Sequence, residues 1–297
     1  MVPSLVLGAA GQVVNGRYLR FYVYPDVFSI MAGLAVGYWY LVTRLGPARG
    51  GTTTRRQITY WYSSVFLLFV FAEWPLHPLA EHYSFAIHML EHETMIMVAA
   101  PLMLLGIPDW MMRWAVVERP WYRFVRFATR PFSAGFIYTV VLLLGHLPAV
   151  VNETTHNEPF HFTAHLVLYF AGLAFWMPLL NRMPEFARLT RPVKILYLFL
   201  TAIPTTLPTM MLIFTTHVLY SAYAGWPQYL GWSNKADQEM AGAIMGGFVT
   251  FGVWVLAAYQ FFTWYAEEQA LDKSERTLPD DLTWDDVQAE LARSPRQ

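Results

Sequence analysis

The sequence predicts an all-α membrane protein built as a bundle of seven transmembrane helices. Only 14% of its 297 residues are charged and 56% are hydrophobic, whereas soluble domains carry about 25% charged residues. Apolar runs of about 20 residues, the length that crosses a bilayer, recur along the chain. Aromatic residues reach 17%, as expected where tryptophan and tyrosine occupy two membrane interfaces. The lipid bilayer is therefore the expected environment, and the net charge of −1 gives no sign of a nucleic acid partner.

Seven apolar runs are long enough to be spans. They cover Val23–Thr43, Gln57–Leu76, Tyr83–Leu105, Pro131–Val151, Pro159–Leu180, Val193–Tyr220 and Glu239–Tyr265. Membrane helices tolerate internal proline because neighbouring groups satisfy the freed carbonyls, so we interpret Pro204 and Pro208 as kinks. We expect one transmembrane domain at residues 1–266 and a polar cytoplasmic tail at 267–297, with a short helix that Thr283 caps. The start of the chain lacks a basic region before its apolar stretch, so we expect no cleaved signal peptide.

The basic residues of the loops orient the bundle. Of the 20 lysines and arginines, all but three fall in the loops after the first, third and fifth spans or in the tail. The three exceptions are Arg17, Arg20 and Lys235. Because cytoplasmic loops carry the excess of positive charge, the N-terminus is expected outside and the C-terminus in the cytoplasm. This alternation requires an odd number of spans.

With this orientation, all nine histidines fall towards the outer side of the membrane. Two pairs have the i, i+4 spacing that places side chains on one helix face. His88 and His92 lie in the third span, and His161 and His165 lie in the fifth. Ionisable groups inside a membrane are costly, so shared use of one site is the simplest cause of this clustering.

The donor types indicate a metal site. The chain contains no cysteine, and imidazole with thioether suits copper better than calcium or magnesium, with zinc and iron left open. The predicted ligands are His88, His92, His161, His165 and, from the mouth of the seventh span, Asp237. Further ligands, or groups that orient a ligand, are predicted at His146, Met95, Met240, Met245 and Glu91. The remaining histidines are interpreted as interfacial polar residues: His77, His82, His156 and His217.

Three alternative functions are consistent with the same residues. The pattern His88-x-x-Glu91-His92 matches an inverzincin signature, in which glutamate is the general base of a zinc protease. Histidines that face one another across two spans could instead hold b-type haem. A copper transporter would need polar groups that continue into the cytoplasmic half of the spans, and few are present. The inverzincin pattern is short and would also need a further acidic ligand on another helix, so we expect a protein that is not an enzyme.

The chain resembles a known family in several segments. These segments are FAIHMLEHETMIMVAAPLMLLGIP in the third span, GHLPAVVNE at the fourth, FHFTAHLVLYFAGLAFWMPLL in the fifth, and LYSAYAGW followed by KADQEMAGAIM, which leads into the seventh. They are similar to the polytopic CtaG-type assembly factors of caa(3)-type cytochrome c oxidase. The resemblance covers about Gln57 to Tyr265. It departs from the family pattern at Glu91 and Glu93, where an amide and an apolar residue are expected, and at Gly145, where tryptophan is expected.

The resemblance implies a multi-pass plasma-membrane protein that assembles haem–copper oxidase and delivers copper to it. An oxidase subunit would be the partner, with a soluble outer-side copper donor as a further one. The positions that match the family pattern are His88, His92, His146, His161, His165, the Asp237-Gln238 pair and Met240.

Overall fold

The computed structural model describes residues 24–226, 231–276 and 284–293, and within these ranges it contains helices, turns and loops but no strand. The helices are α1 (Pro25–Ala48), α2 (Arg55–Ala72), α3 (His77–His82), α4 (Phe85–Gly106), α5 (Asp109–Met112), α6 (Tyr122–Ala128), α7 (Pro131–Gly145), α8 (Pro148–Thr154), α9 (Glu158–Leu180), α10 (Arg191–Phe214), α11 (Asn234–Arg276) and α12 (Trp284–Arg293). The predicted all-α class is thus confirmed.

Six helical segments of the described chain are long and apolar enough to cross a membrane. A seventh results when α6 and α7, which bend by 76° at their junction, are taken as one span. The prediction of a polytopic helical membrane protein is therefore confirmed, with six or seven spans in the predicted order. The signal-peptide prediction and the Thr283 cap concern residues outside the described ranges.

Three element boundaries differ from the prediction. The sixth span ends at Phe214 rather than Tyr220, because the Gln238 side chain forms hydrogen bonds with the backbone at this point. Its amide N–H donates to the Leu212 carbonyl at 3.1 Å, and its amide oxygen accepts from the Leu219 N–H at 2.6 Å. The fourth span breaks after Gly145, because Pro148 has no N–H to continue the helix. The connection before the third span is not a loop but the short helix α3.

The tail starts as a continuation of the last span. Helix α11 runs without interruption from Asn234 to Arg276, so the domain boundary placed at residue 267 lies inside a continuous helix. The short tail helix predicted after Thr283 is observed as α12.

The bundle core lies between α4, α7, α9, α10 and α11. Its central cluster contains Ile96, Tyr138, Phe175, Leu198 and Met245, all buried. Polar contacts join the helices within this apolar packing: the Trp176 indole N–H donates to the Ile96 carbonyl at 2.7 Å. The core thereby fixes α9 against α4, the two helices that carry the paired histidines.

The start of α4 is held by α11. The Asp237 carboxylate accepts hydrogen bonds from the Ser84 hydroxyl and the Phe85 N–H, both at 2.6 Å, and from the Ala86 N–H at 3.2 Å. The Ser84 hydroxyl oxygen in turn accepts from the Ile87 N–H at 3.3 Å. The first N–H groups of a helix lack intrahelical partners and favour negative charge. Asp237 therefore fixes where α4 begins, three residues before His88.

Candidate metal centre

The four paired histidines lie together in the structure. His88 and His92 project from α4 towards His161 and His165 on α9, and ring centroids across this group are 4.3–5.4 Å apart. We call these four side chains the imidazole cluster. Three of them are buried, and His92 is half-buried. The i, i+4 spacing therefore correctly predicted which side chains meet.

Their ring nitrogens converge at short distances. The Nε2 atom of His165 lies 2.9 Å from Nε2 of His92 and 2.7 Å from Nε2 of His161. One ring nitrogen each from His88, His161 and His165 falls within 4.8 Å of the others. Such a group of donor atoms is the usual environment of a metal ion bound by imidazole.

Two carboxylates contact the opposite side of the rings on α9. Glu81, from α3, places Oε1 2.9 Å from Nδ1 of His161. Glu91, which is fully buried, places Oε1 3.4 Å from Nδ1 of His165. Metal-ligating histidines typically give their second ring N–H to a carboxylate, which fixes the tautomer and the ring orientation. Glu91 was predicted in that role from the sequence, whereas Glu81 was missed.

Glu81 determines where the lone pair of His161 points. A carboxylate oxygen only accepts, so the 2.9 Å contact with Glu81 assigns the Nδ1 proton to His161. The Nε2 atom of His161 then carries a lone pair, which faces Nε2 of His165 at 2.7 Å. Glu91 accepts its hydrogen bond from His77. A lone pair at the centre of a group of imidazoles can accept a proton or bind a cation.

His77 also belongs to this site, contrary to its interpretation as an interfacial polar residue. Its Nδ1 lies 3.0 Å from Oε1 of Glu91, and its side chain is only 12% exposed. Its ring centroid is 6.0 Å from that of His161. The prediction failed because the segment was taken as a loop. The i, i+4 spacing of His77 and Glu81 next to Pro78, a residue typical of helix starts, was the available signal.

The other predicted ligands are placed differently. Both oxygens of Asp237 accept hydrogen bonds from the start of α4. Met95 packs one turn deeper than His92, in a core cluster with Trp61. Met245 lies in the central core, and Met240 is 40% exposed. The structure therefore gives Asp237 a capping position and gives Met95 and Met245 packing positions.

His146 lies beside the imidazole cluster rather than in it. Together with His88, His92, His161 and His165 it lines a cavity of about 260 Å³ between α7 and α9. Its Nδ1 is 2.7 Å from the Leu142 carbonyl oxygen. Of the remaining histidines, His82 is half-buried, whereas His156 and His217 are exposed.

If the cluster holds a metal ion, replacing the carboxylate partner of His161 will weaken its binding. In Glu81→Gln the amide no longer provides a charged acceptor for the His161 Nδ1–H, so we expect affinity to fall by about 10- to 100-fold. Glu158→Gln is the matched control, because Glu158 is exposed at the start of α9, three residues before His161. Chelator competition on the purified protein measures both, and equal affinities for the two variants would contradict the orienting role.

Fold and site together define a polytopic helical membrane protein with a buried imidazole–carboxylate cluster near one end of its bundle. Residues 36–267 match the family described as cytochrome c oxidase caa3 assembly factor. Because the match covers more than half of the chain, the chain belongs to this family, and the resemblance read from the sequence is confirmed. A search of curated proteins and a search of solved structures gave no match.

Proposed function

We propose that this assembly factor binds copper at the imidazole cluster and delivers it to haem–copper oxidase. The observation that carries the proposal is the convergence of the Nε2 atoms of His161 and His165, each oriented by a carboxylate on its other side. Copper is the cargo here, so the cluster must hold it without enclosing it permanently.

The spacing of the donors supports this use. Imidazole nitrogens lie about 2.0 Å from a bound transition metal, so two of them in tetrahedral geometry are about 3.3 Å apart. The three converging nitrogens lie within 4.8 Å of one another. The pairs at 2.7 and 2.9 Å need to open only slightly to admit an ion. Rotation about the side-chain bonds supplies such a shift without moving the helices.

Chemistry and family together favour copper. The chain has no cysteine, so imidazole and carboxylate are the strong donors, a set that binds copper, zinc or iron. Membership of a cytochrome c oxidase assembly family favours copper among these. We assign no enzymatic step, and Glu91 serves the imidazoles of His77 and His165 rather than acting as a general base.

The depth of the cluster fits delivery within the membrane. The four histidines lie three to seven residues from the start of α4 or α9, which is about 5–11 Å along a helix. With the orientation given by the loop charges, this depth is in the outer part of the bilayer, with the N-terminus outside. We place the protein in the plasma membrane, with an oxidase subunit as the lateral partner and a soluble outer-side donor as the copper source.

The packing of the rings argues against haem. A macrocycle needs free space between two axial imidazoles, yet ring centroids in the cluster are as close as 4.3 Å.

The deeper buried hydroxyls argue against a transporter. Thr201, Thr205 and Thr209 donate to carbonyls of their own helix, so they offer no chain of free ligands towards the cytoplasmic half.

A strain that lacks the protein tests the assembly role. We expect its oxidase to lose copper and activity, wild-type protein to restore both, and protein with His88→Ala and His165→Ala to restore neither. His156→Ala is the control because that side chain is exposed. Oxidase copper content is measured by elemental analysis of the purified enzyme. A full copper content in the strain without the protein would refute copper delivery.

A further inference from the structure

His146 carries a free lone pair that the imidazole cluster does not use. Its Nδ1 lies 2.7 Å from the carbonyl oxygen of Leu142, and a carbonyl can only accept a hydrogen bond, so Nδ1 carries the proton. The lone pair is therefore on Nε2. This atom is buried and has no hydrogen-bond partner. An unsatisfied buried polar atom costs about 1–3 kcal/mol, so its retention needs an explanation.

His92 has a second ring nitrogen in the same situation. Its Nε2 lies 2.9 Å from Nε2 of His165 within the imidazole cluster. Its Nδ1 is buried without a hydrogen-bond partner, and this atom carries the lone pair in the tautomer whose proton is on Nε2. His92 thus faces the imidazole cluster with one nitrogen and has no partner at the other.

Both histidines line the cavity between α7 and α9, whose other walls are chiefly aliphatic. At about 260 Å³ the cavity has room for an ion. Two unpartnered imidazole nitrogens in an apolar wall suit a soft cation of low coordination number. The break between α7 and α8 places His146 at this wall, and the Tyr220 hydroxyl fixes its backbone by donating to its carbonyl oxygen at 3.0 Å.

The rim of the cavity is apolar and exposed. Leu144, Phe160 and Val167 line it and are 53%, 38% and 47% exposed. These residues lie on the face of α7 and α9 that points away from the bundle core. In a membrane-spanning bundle this face contacts lipid. The cavity therefore opens sideways, in the plane of the bilayer.

We propose that His146 and His92 form a second copper(I) position in this cavity, from which the ion leaves the bundle sideways towards an acceptor within the membrane. The proposal rests on the proposed function. The ion moves by ligand exchange: a bond to His146 forms as one to the imidazole cluster breaks, and copper remains in the +1 state. The imidazole cluster can supply the first position through His88, His161 and His165, so His92 binds copper only in the second position, through Nδ1.

Chelators that differ in where they partition test the route. Protein in liposomes is loaded with copper(I) and treated with neocuproine, which enters the bilayer, or with bathocuproine disulfonate, which stays in water. For His146→Leu we expect one copper per chain instead of two. Extraction by neocuproine will slow at least about 10-fold, while extraction by bathocuproine disulfonate stays unchanged. His146→Met, which restores a soft ligand, will recover both the second copper and the fast extraction.

Controls separate this proposal from the proposed function. His156→Leu, which changes an exposed histidine outside the cavity, will behave as the wild type. Wild-type protein that binds no copper would overturn both proposals. Wild-type protein that binds one copper, with His146→Leu extracted equally fast, would overturn the second position alone. A His146→Leu variant with reduced copper that His146→Met does not restore would also overturn it, because packing rather than ligation would then be responsible.

Discussion

Protein in which both His161 and His165 are replaced by alanine will lose the copper bound at the imidazole cluster and will bind about half of the copper that the wild type binds at the same free copper concentration, because the position at His92 and His146 remains. Each imidazole contributes one of the nitrogens that converge within 4.8 Å. Loss of both removes two of the three converging nitrogens and leaves the imidazole cluster with only the two histidines of α4. The measurement is copper(I) competition with a coloured chelator, on protein purified in mild detergent.

The same experiment needs a control for histidine number. A variant with His156→Ala and His217→Ala also lacks two histidines, but both are exposed, so its copper content will equal that of the wild type. Far-ultraviolet circular dichroism must show unchanged helix in both variants. Full copper binding by the variant without His161 and His165 would eliminate the imidazole cluster as the site.

Asp237→Ala will destabilise the protein by about 3 kcal/mol or more. The side chain is 2% exposed, and its removal leaves the Ser84 hydroxyl and the N–H groups of Phe85 and Ala86 without their acceptor. A buried donor left unsatisfied costs about 1–3 kcal/mol, and loss of a capping side chain about 0.5–2 kcal/mol. Thermal unfolding in detergent, followed by circular dichroism, measures the effect.

Two further variants distinguish capping from ligation by Asp237. Asp237→Asn keeps one acceptor oxygen, so it will lose less stability and retain the copper stoichiometry of the wild type. Glu239→Gln breaks only the exposed pair between Glu239 and Lys235, and such pairs contribute about 0.3–0.5 kcal/mol. If Asp237→Asn loses copper at unchanged stability, the ligand role predicted from the sequence is correct.

The paired histidines could be predicted because helix periodicity is a local property. An apolar run fixes the helix, and i, i+4 spacing then places His88 with His92 and His161 with His165 on single faces. Orientation from loop charge places both pairs towards one side, and the structure brings them into contact. Pattern and charge were sufficient for this part of the site.

The positions of the carboxylates in the site depend on tertiary contacts, which the residue pattern of a single sequence does not reveal. Glu81 and His77 were missed because α3 is too short for a hydrophobic period to reveal it. Asp237 was predicted as a ligand from its depth, but the start of α11 lies against the start of α4. Which helix N-terminus a carboxylate caps depends on packing between residues that are far apart in the chain.

The contact between Asp237 and α4 also sets the order in which the protein matures. It joins residues 153 positions apart, and a chain is synthesised and begins to fold from its N-terminus. All four imidazoles have therefore left the ribosome before the residue that fixes the first turn of α4 is made. A nascent chain therefore lacks the contact that fixes the first turn of α4 until its last span is made, so this end of α4 is completed only when translation is nearly complete.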